Sequence, residues 1–279
     1  MPGTLFLVAT PLGNLGDITY RAVETLSAAT AIVAEDTRRA RILCERYGIE
    51  RPLVSMPAFR ELDQADALVA RLSKGDTLAL ITDAGSPGIS DPGTALVGKA
   101  IAAGIQVVPI PGPSAAVSAL SASGLATDRF FFAGFLPRKG TGRERALSLL
   151  KRLDATLVLY ESPERLRETL DDLREAFGDR RAVVARELTK IHEEFARGTL
   201  SDLAQRFAGE VRGEITLIVE GASSDASEAA TDEAILAEVE RRLAAGEGSV
   251  KEIAGEIAKA TGRPRREVYD LALKAKGRK

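Results

Sequence analysis

The stretch Asp83-Ala-Gly-Ser-Pro-Gly-Ile-Ser-Asp-Pro-Gly93 decides how this chain folds. The apolar run Thr77–Thr82 before it predicts a strand, and residues 94–103 after it predict an amphipathic helix. Three glycines and two prolines among these eleven residues can continue neither element. Most strand-to-helix connections are only about 2–6 residues long, and open α/β sheets bind ligands at such strand ends. We therefore predict a ligand-binding loop; the alternative is an ordinary connection with a long turn.

Strand and helix patterns alternate on both sides of this loop. Further strands are predicted over 4–9, 31–34 and 105–110, with helices from about 18 and 37 and a small-residue helix that ends at 123. Repeated strand-helix units indicate an α/β fold, in which helices cover a parallel sheet.

The pattern begins again near Phe130. Strands are predicted over 130–135, 156–160, 182–185 and 215–219, with helices near 143–152, 163–177 and 200–208, which indicates a second α/β domain. The predicted domains are 1–124 and 125–221, followed by an Ala/Ser-rich linker over 222–231 and a helical module over 232–279.

The helical module resembles a helix-turn-helix. Ser249 and Glu252 form an S-x-x-E capping box at the start of one helix, and Pro264 suits the first position of the next. Seven Lys and Arg residues between Arg263 and Lys279 predict a polyanionic partner. The alternative is a frayed basic tail that only improves solubility.

Composition narrows the class of protein. The 279 residues suffice for two domains, and 45% hydrophobic with 28% charged residues is an ordinary soluble balance with a net charge of −2. No apolar run could span a bilayer, and no signal peptide is evident. The single cysteine, Cys44, is expected in the core and fits a reducing cytoplasm. The single histidine, His192, disfavours histidine-based zinc sites and Ser-His-Asp catalysis.

Two other loops at predicted strand ends contain candidate ligand-binding residues. The first, Thr10–Asp17, holds only Gly13 and Gly16, so it lacks the G-x-G-x-x-G dinucleotide fingerprint, and no P-loop motif occurs in the chain. In the second, Pro111–Ala115, Ser114 is expected to cap the helix that follows or to present its N–H to a ligand carboxylate.

Taken together, these motifs resemble the tetrapyrrole methylase superfamily and, within it, the methyltransferases of small-subunit ribosomal RNA. The resemblance covers nearly the whole chain and rests on eight segments: Val8–Thr19, Ala34–Arg38, Thr82–Gly93, Pro111–Ala115, Gly134–Pro137, Tyr160–Ser162, Ala185–Lys190 and Gly213–Gly221. It implies two α/β domains with S-adenosylmethionine in the cleft between them, usually as a homodimer. The implied reaction is 2′-O-methylation of a cytidine ribose in the decoding region of 16S rRNA, either free or in the small subunit.

The resemblance also assigns cofactor contacts. By motif they fall on eight residues: Leu12, Asp83, Ser86, Ser114, Ala115, Tyr160, Ala185 and Ile215. The first loop departs from the closely spaced glycines that are commoner in the superfamily, and the 83–93 loop differs from the short G-D-P form. The assignments of Leu12 and Ser86 depend on those two loops.

Methyl transfer from a sulfonium needs no metal, but a ribose hydroxyl needs a base or a charge that stabilises its alkoxide. The catalytic candidates are Glu35, Arg38, Glu187 and Lys190, with their neighbours Asp36 and Arg186 also considered. Lys190 would orient or deprotonate the hydroxyl. The alternative for each candidate is structural: Glu35 and Arg38 could pair across a helix turn, and Arg186 and Glu187 could form salt bridges at the sheet edge.

Two rival functions stay open at this point. One keeps the cofactor but methylates a tetrapyrrole or another small molecule; the basic module argues against it. The other is a nucleic-acid-binding protein without catalysis; the elaborate strand-end loops argue against it. Of the two acids in the opening loop, we expect Asp83 to bind the ligand and Asp91 to cap the helix that begins near Pro92.

Overall fold

The computed structural model describes residues 2–222, 232–261 and 263–277. Its first sheet is entirely parallel, as predicted, with the strand order β3-β2-β4-β1-β5. The strands are β1 (Thr4–Val8), β2 (Ala31–Ala34), β3 (Leu53–Ser55), β4 (Leu78–Ile81) and β5 (Gln106–Ile110). Strands β2 and β4 are buried along their whole length, which explains why they are continuous apolar runs.

Helices cover both faces of this sheet. They are α1 (Tyr20–Ala28), α2 (Thr37–Tyr47), α3 (Glu61–Ser73) and α4 (Thr94–Ala102), and the chain continues after β5 into α5 (Ala115–Ser121). Helices α1 and α2 bury Leu26 and Leu43 against one face, and α3 and α4 bury Leu72 and Leu96 against the other. The connection after β1 leads to one side of the sheet and the connection after β4 to the other. This reversal leaves a crevice at the carboxyl ends of β1 and β4, where ligands bind in open α/β sheets.

The second sheet is mixed. Its order is β6-β7-β10-β8-β9, and the only parallel pair among its described strands is β6 with β7. The strands are β6 (Phe130–Phe135), β7 (Thr156–Glu161), β8 (Arg181–Arg186), β9 (Glu194–Thr199) and β10 (Ile215–Val219). Its helices are α6 (Thr141–Leu150), α7 (Leu166–Phe177) and α8 (Leu200–Arg206). The sequence analysis missed β3, which is short, and β9, which carries charged residues on an edge.

Helix α5 joins the two sheets. It follows the first sheet in the chain but packs on β7 and β10 of the second. Leu12 from the loop after β1, together with Ala116 and Leu120 of α5, shares a core with Val158 and Ile218. Residues 1–150 and 156–220 consequently form one compact unit, and the predicted domain boundary at 124/125 falls in the connection between α5 and β6.

The C-terminal helices form a second compact unit, together with residues 151–155. They are α9 (Asp232–Ala244), α10 (Val250–Thr261) and α11 (Arg265–Gly277), and they share a core of their own. The predicted capping box is confirmed: the Ser249 N–H donates to Glu252 at 2.9 Å, and the Glu252 N–H donates to the Ser249 hydroxyl at 3.3 Å. Apart from Ala222, the predicted linker over 222–231 lies outside the described residues.

The structure also tests the predictions for Cys44 and Asp91. Cys44 is buried in the core, as predicted. The prediction that Asp91 caps α4 is wrong, because a glutamate from another helix takes that role: Oε1 of Glu61 accepts the N–H groups of Ala95 at 2.7 Å and Leu96 at 3.1 Å. In the described part of the chain, no helix is long and apolar enough to cross a membrane.

Candidate functional site

The loops after β1 and β4 are tied together at the crevice. Thr10 and Gly85 exchange backbone hydrogen bonds of 2.9 and 3.0 Å, and the Thr10 hydroxyl donates to the carbonyl of Thr82 at 3.0 Å. The positive φ of Gly85, 77°, lets the 83–93 loop turn at this contact. The two loops therefore form one rigid wall.

A cavity of about 690 Å³ lies against this wall. The loops at the strand ends of the first sheet line one side of the cavity. The ends of the central strands of the second sheet line the other side. At these strand ends, Tyr160 of β7 pairs with Thr216 of β10, which in turn pairs with Ala185 of β8. The volume is within the range of about 300–1,000 Å³ that is usual for small-molecule sites.

Most of the cofactor residues that the motifs assign lie on the surface of this one cavity: Leu12, Asp83, Ser86, Ser114, Ala115, Tyr160 and Ile215. Ala185 does not line it; it is fully buried in the core behind, with Leu12 and Leu188. Ser114 is at the N-cap position of α5, but its hydroxyl forms no capping hydrogen bond. Residues of the segments 83–115 and 160–215 thus converge on one cavity, although the two segments are far apart in sequence.

The charge of the cavity suits a cationic ligand. Among the described residues, its lining contains six carboxylates and two cations: Glu35, Asp83, Asp91, Glu161, Glu187 and Glu214, with Arg39 and Lys190. S-adenosylmethionine carries a sulfonium, an ammonium and a carboxylate group and is a net cation, and apolar side chains such as Leu12 and Ile215 line the same cavity. The residues present therefore fit this cofactor.

Lys190 is clamped between two glutamates. Its Nζ donates to Oε1 of Glu187 at 2.8 Å and to Oε2 of Glu214 at 3.1 Å. Burial acts to lower the pKa of Lys190, but the hydrogen bonds to Glu187 and Glu214 prevail and raise it. The same contact lowers the pKa of Glu187. Lys190 is therefore held as a cation, which suits a role in orienting a hydroxyl and stabilising an alkoxide, and not in removing a proton.

The loop that carries Lys190 is strained. Glu187 and Thr189 have positive φ values of 53° and 67°, and such a conformation is a genuine outlier for a β-branched residue such as threonine. The Thr189 hydroxyl is buried without a hydrogen-bond partner among the described residues. A Cβ on Gly213 would lie 2.5 Å from Oε1 of Glu187, so a glycine is needed there. Strain of this kind is concentrated at functional sites.

Glu35 and Arg38 are separated by the structure. Glu35 lines the cavity, where burial and then the nearby Asp83 carboxylate raise its pKa. Arg38 does not line it: its side chain is 89% exposed and pairs with Asp36 at 2.7 Å. The next residue, Arg39, faces the cavity and pairs with Asp83 at 3.4 Å. The suggested pair between Glu35 and Arg38 does not form.

Glu187 and Arg186 also have distinct partners. Glu187 pairs with Lys190 in the cavity wall, whereas Arg186 donates to Glu194 of β9 at 2.7 Å and so fastens the edge of the sheet. Arg186 thus forms the sheet-edge salt bridge of the structural alternative, and Glu187 forms an ion pair of its own with Lys190. His192 is exposed beyond this loop.

A second, smaller cavity of about 280 Å³ adjoins the first. The loops after β1, β2 and β4 line it, together with Ile42 and Leu43 of α2. The two cavities share part of their lining: Leu12, Glu35, Arg39, Asp83, Ala84, Lys190 and Glu214. Three of the six carboxylates and both cations thus lie at the boundary between two spaces, an arrangement that suits two reactants.

Sequence reasoning missed several residues of the cavity wall: Arg39, Asp91, Glu161 and Glu214. Arg39 lies four positions before the buried Leu43, and this helical spacing was the available signal. Glu161 is 3% exposed and accepts from the Thr169 hydroxyl at 2.6 Å. No local pattern indicates that contact.

Comparison with known proteins agrees with this architecture. The family model of tetrapyrrole (corrin/porphyrin) methylases matches residues 4–204, and the model of the RsmI C-terminal HTH domain matches residues 228–276. The ribosomal RNA small subunit methyltransferase I of Xylella fastidiosa (strain Temecula1) is 47% identical over 273 residues, covering 96% of this chain and 98% of the relative. The protein of the same name from Bacillus subtilis (strain 168) is 42% identical and covers 96% and 93%.

Solved structures share the fold at low identity. Diphthine synthase superposes with a TM-score of 0.62 at 17% identity, over 78% of this chain and 90% of that chain. A uroporphyrin-III C-methyl transferase from Thermus thermophilus, complexed with S-adenyl homocysteine, gives 0.59 at 19% identity, over 78% and 97%. Two α/β sheets, a C-terminal helical unit and relatives that match along nearly their whole length lead to one conclusion: the chain belongs to the tetrapyrrole methylase family, in its ribosomal RNA small subunit methyltransferase I branch.

Proposed function

We propose that this protein transfers the methyl group of S-adenosylmethionine to the ribose 2′-hydroxyl of a cytidine in the decoding region of 16S rRNA. The observation that carries the proposal is the pair of adjoining cavities with a shared wall of acids and bases. The relatives named ribosomal RNA small subunit methyltransferase I support the class of substrate.

In this proposal the larger cavity holds the cofactor. The Asp83 carboxylate would bind a cationic group of the cofactor or accept a hydrogen bond from one of its hydroxyl groups. Leu12, Ala115 and Ile215 would contact the adenine. Bound there, S-adenosylmethionine supplies a methyl group already activated by its sulfonium. Because negative side chains outnumber positive ones in this lining, the binding of a positively charged molecule is favoured over that of an anion.

Lys190 would position the acceptor. Its ammonium lies at the boundary of the two cavities, held by Glu187 and Glu214. From there it would donate a hydrogen bond to the ribose oxygen and stabilise the negative charge that develops during the transfer. In-line alignment of two reactants accounts for a large part of the rate in reactions of this type.

The C-terminal unit would supply affinity for RNA. Arg241, Arg242 and Arg263 are engaged in ion pairs within the unit. Arg265 and Arg266 are exposed, and neither forms an ion pair in the part of the chain that the structure describes. Exposed cations at the start of a helix suit contacts with a phosphate backbone.

The remaining expectations stay proposals. We propose that the protein acts as a homodimer in the cytoplasm, which light scattering and cell fractionation test. The second candidate function is methylation of a tetrapyrrole. Solved structures with a related fold include a uroporphyrin-III C-methyl transferase, which is the specific observation in its favour.

A methyl-transfer assay tests the proposal directly. Small ribosomal subunits and naked rRNA from a strain without this methylation, and separately a tetrapyrrole, are incubated with radiolabelled S-adenosylmethionine. We expect label in one RNA position, and we expect that ribose linkage to resist alkaline cleavage. Label in the tetrapyrrole alone would replace the proposal with the second candidate. Absence of cofactor binding would contradict both.

A further inference from the structure

Four of the six carboxylates in the main cavity lie beside a cationic side chain. Asp83 pairs with Arg39; Glu187 and Glu214 pair with Lys190; and Glu161 lies 3.5 Å from Arg165. Asp91 is different: within the described residues it forms no ion pair, although its carboxylate lines the cavity. A carboxylate without a neighbouring cation keeps its basicity.

The loop holds Asp91 in the cavity wall. Ser90, just before it, has a φ of 61°, a conformation that is uncommon outside glycine. The Gly88 N–H donates to the carbonyl of Pro92 at 3.1 Å and closes the loop around Asp91. Because Glu61 already caps α4, the Asp91 carboxylate has no capping role and remains on the cavity surface.

The proposed reaction needs a group that takes up a proton, and Lys190 cannot supply it. Its ammonium is held by Glu187 and Glu214, so it has no free electron pair. Glu35 is the other carboxylate without an ion pair among the described residues. Burial and the Asp83 charge raise its pKa as well, but the nearby Arg39 acts against that rise, whereas no cation in the described part of the chain acts on the pKa of Asp91. Asp91 is therefore the stronger candidate.

We propose that Asp91 is the proton acceptor of the methyl transfer. The inference rests on the proposed function and adds a catalytic residue to it. As the ribose oxygen bonds to the methyl carbon, the carbon–sulfur bond breaks and its electron pair stays on sulfur. The hydroxyl proton passes to the Asp91 carboxylate and is later released to solvent. Atoms and charge balance without a further reactant.

The surroundings of Asp91 raise the pKa of its carboxyl group, which suits it to accept a proton. Burial, followed by the charge of Glu35, raises the pKa of Asp91 to about 6. The charged or titratable groups that act on it come from several elements: Glu35 after β2, Asp83 after β4, Tyr160 on β7 and Glu214 before β10. A base whose pKa lies near the working pH is efficient, because it is ionised yet still accepts a proton readily.

Three variants of the full chain test the assignment: Asp91→Asn, Glu35→Gln, and the control Asp63→Asn, an exposed aspartate on α3. Single-turnover methyl transfer to the small subunit is measured from pH 5 to pH 9, and cofactor affinity is measured by calorimetry. A second readout needs no catalysis: the Asp91 carboxyl is followed by ¹³C NMR in protein without cofactor and assigned by its loss in Asp91→Asn.

We expect Asp91→Asn to slow the transfer by about 10²–10⁴-fold, the usual contribution of a general base, with cofactor affinity within threefold of the unmodified protein. The carboxyl signal should titrate near pH 6, and the transfer rate of the unmodified protein should rise through the same range. Asp63→Asn should keep that pH dependence, whereas Glu35→Gln should shift it to lower pH, because the charge of Glu35 contributes to the raised pKa of Asp91.

Three results would overturn the assignment: transfer by Asp91→Asn within threefold of the unmodified rate, a loss confined to cofactor affinity, or a carboxyl that titrates near its ordinary 3.8. The second would make Asp91 a cofactor-binding group. If the unmodified protein transfers nothing to either RNA substrate, the proposed function itself fails, and the role of Asp91 fails with it. Normal transfer by the unmodified protein and by Asp91→Asn contradicts the Asp91 assignment alone.

Discussion

The side chain of Lys190 passes directly over Gly13: a methyl group at Gly13 would lie 2.6 Å from Cε of Lys190. The contact links the loop after β1 to the loop after β8. Any side chain at position 13 would take up the space that Lys190 needs to reach Glu187 and Glu214. The position of the lysine therefore requires a glycine there.

Gly13→Ala should therefore move Lys190 without unfolding the protein. Misplacement of a catalytic group by about 1 Å can cost about 100-fold in rate, and we expect a 10-fold to 100-fold loss of single-turnover methyl transfer. The melting temperature should stay within a few degrees, since a flexible side chain can give way. Gly209→Ala is the control, because a methyl group there meets no atom within 4 Å. Equal rates for the two variants would contradict the role of Lys190.

Asp83→Ala should weaken cofactor binding. Its carboxylate lies in the cavity wall beside Arg39, and a hydrogen bond to a charged group contributes about 1.5–3 kcal/mol. Calorimetric titration with S-adenosylmethionine should show an affinity lower by at least tenfold. Asp66→Ala, which removes a surface ion pair with Lys99, is the matched control. An unchanged affinity in Asp83→Ala would remove this residue from the cofactor site.

Asp91→Asn should make stability less dependent on pH. The pKa of Asp91 rises from 3.8 to about 6 in the folded protein, so between these values the folded state binds more protons than the unfolded state. Stability is then lost as the pH rises through this range. The variant should unfold at a higher urea concentration than the unmodified protein at pH 8 and at the same concentration at pH 4. A constant difference at both pH values would show that another cause is at work.

Arg143→Met should destabilise the second sheet. Arg143 is 5% exposed; it donates to Asp172 at 2.5 Å, to the Thr169 hydroxyl at 2.9 Å and to the Pro137 carbonyl at 3.0 Å. Arg143 is buried but the Asp172 side chain is 33% exposed, so the loss should be smaller than for a fully buried pair, about 1–3 kcal/mol from the hydrogen bonds that Arg143 donates. Urea denaturation measures this loss. Arg145→Met, an exposed position on the same helix, should change stability by less than about 0.5 kcal/mol.

Arg265→Gln combined with Arg266→Gln should weaken RNA binding at low salt. Each lost phosphate contact lowers the slope of log affinity against log salt concentration by about 0.7–0.9. Fluorescence anisotropy with an rRNA fragment over 50–300 mM salt measures the slope, and cofactor affinity should not change. Lys74→Gln with Arg145→Gln removes two exposed cations elsewhere as the control. Equal slopes for the two double variants would contradict an RNA contact by α11.

Much of the fold follows from local pattern. The continuous apolar runs of β2 and β4 are typical of buried parallel strands, and the paired Ser249 and Glu252 predict the start of α10. Strand β3 was not predicted, because three half-buried or exposed residues have little periodicity. Strand β9 was missed because it is an edge strand whose Glu194 and Arg197 contact neighbouring segments instead of packing in a core.

By itself the sequence determined that glycine- and proline-rich loops follow apolar strands, because short-range sterics and periodicity decide these features, and from this it predicted a ligand site at the carboxyl ends of the strands. Only the tertiary structure decided which charged side chains share that site. Arg39 faces Asp83 while Arg38 faces solvent, and among the described residues Asp91 has no ion-pair partner while Glu61 caps α4. These outcomes depend on contacts between residues distant in the chain, such as Thr10 with Gly85, and no local pattern encodes the direction in which a side chain meets a distant partner.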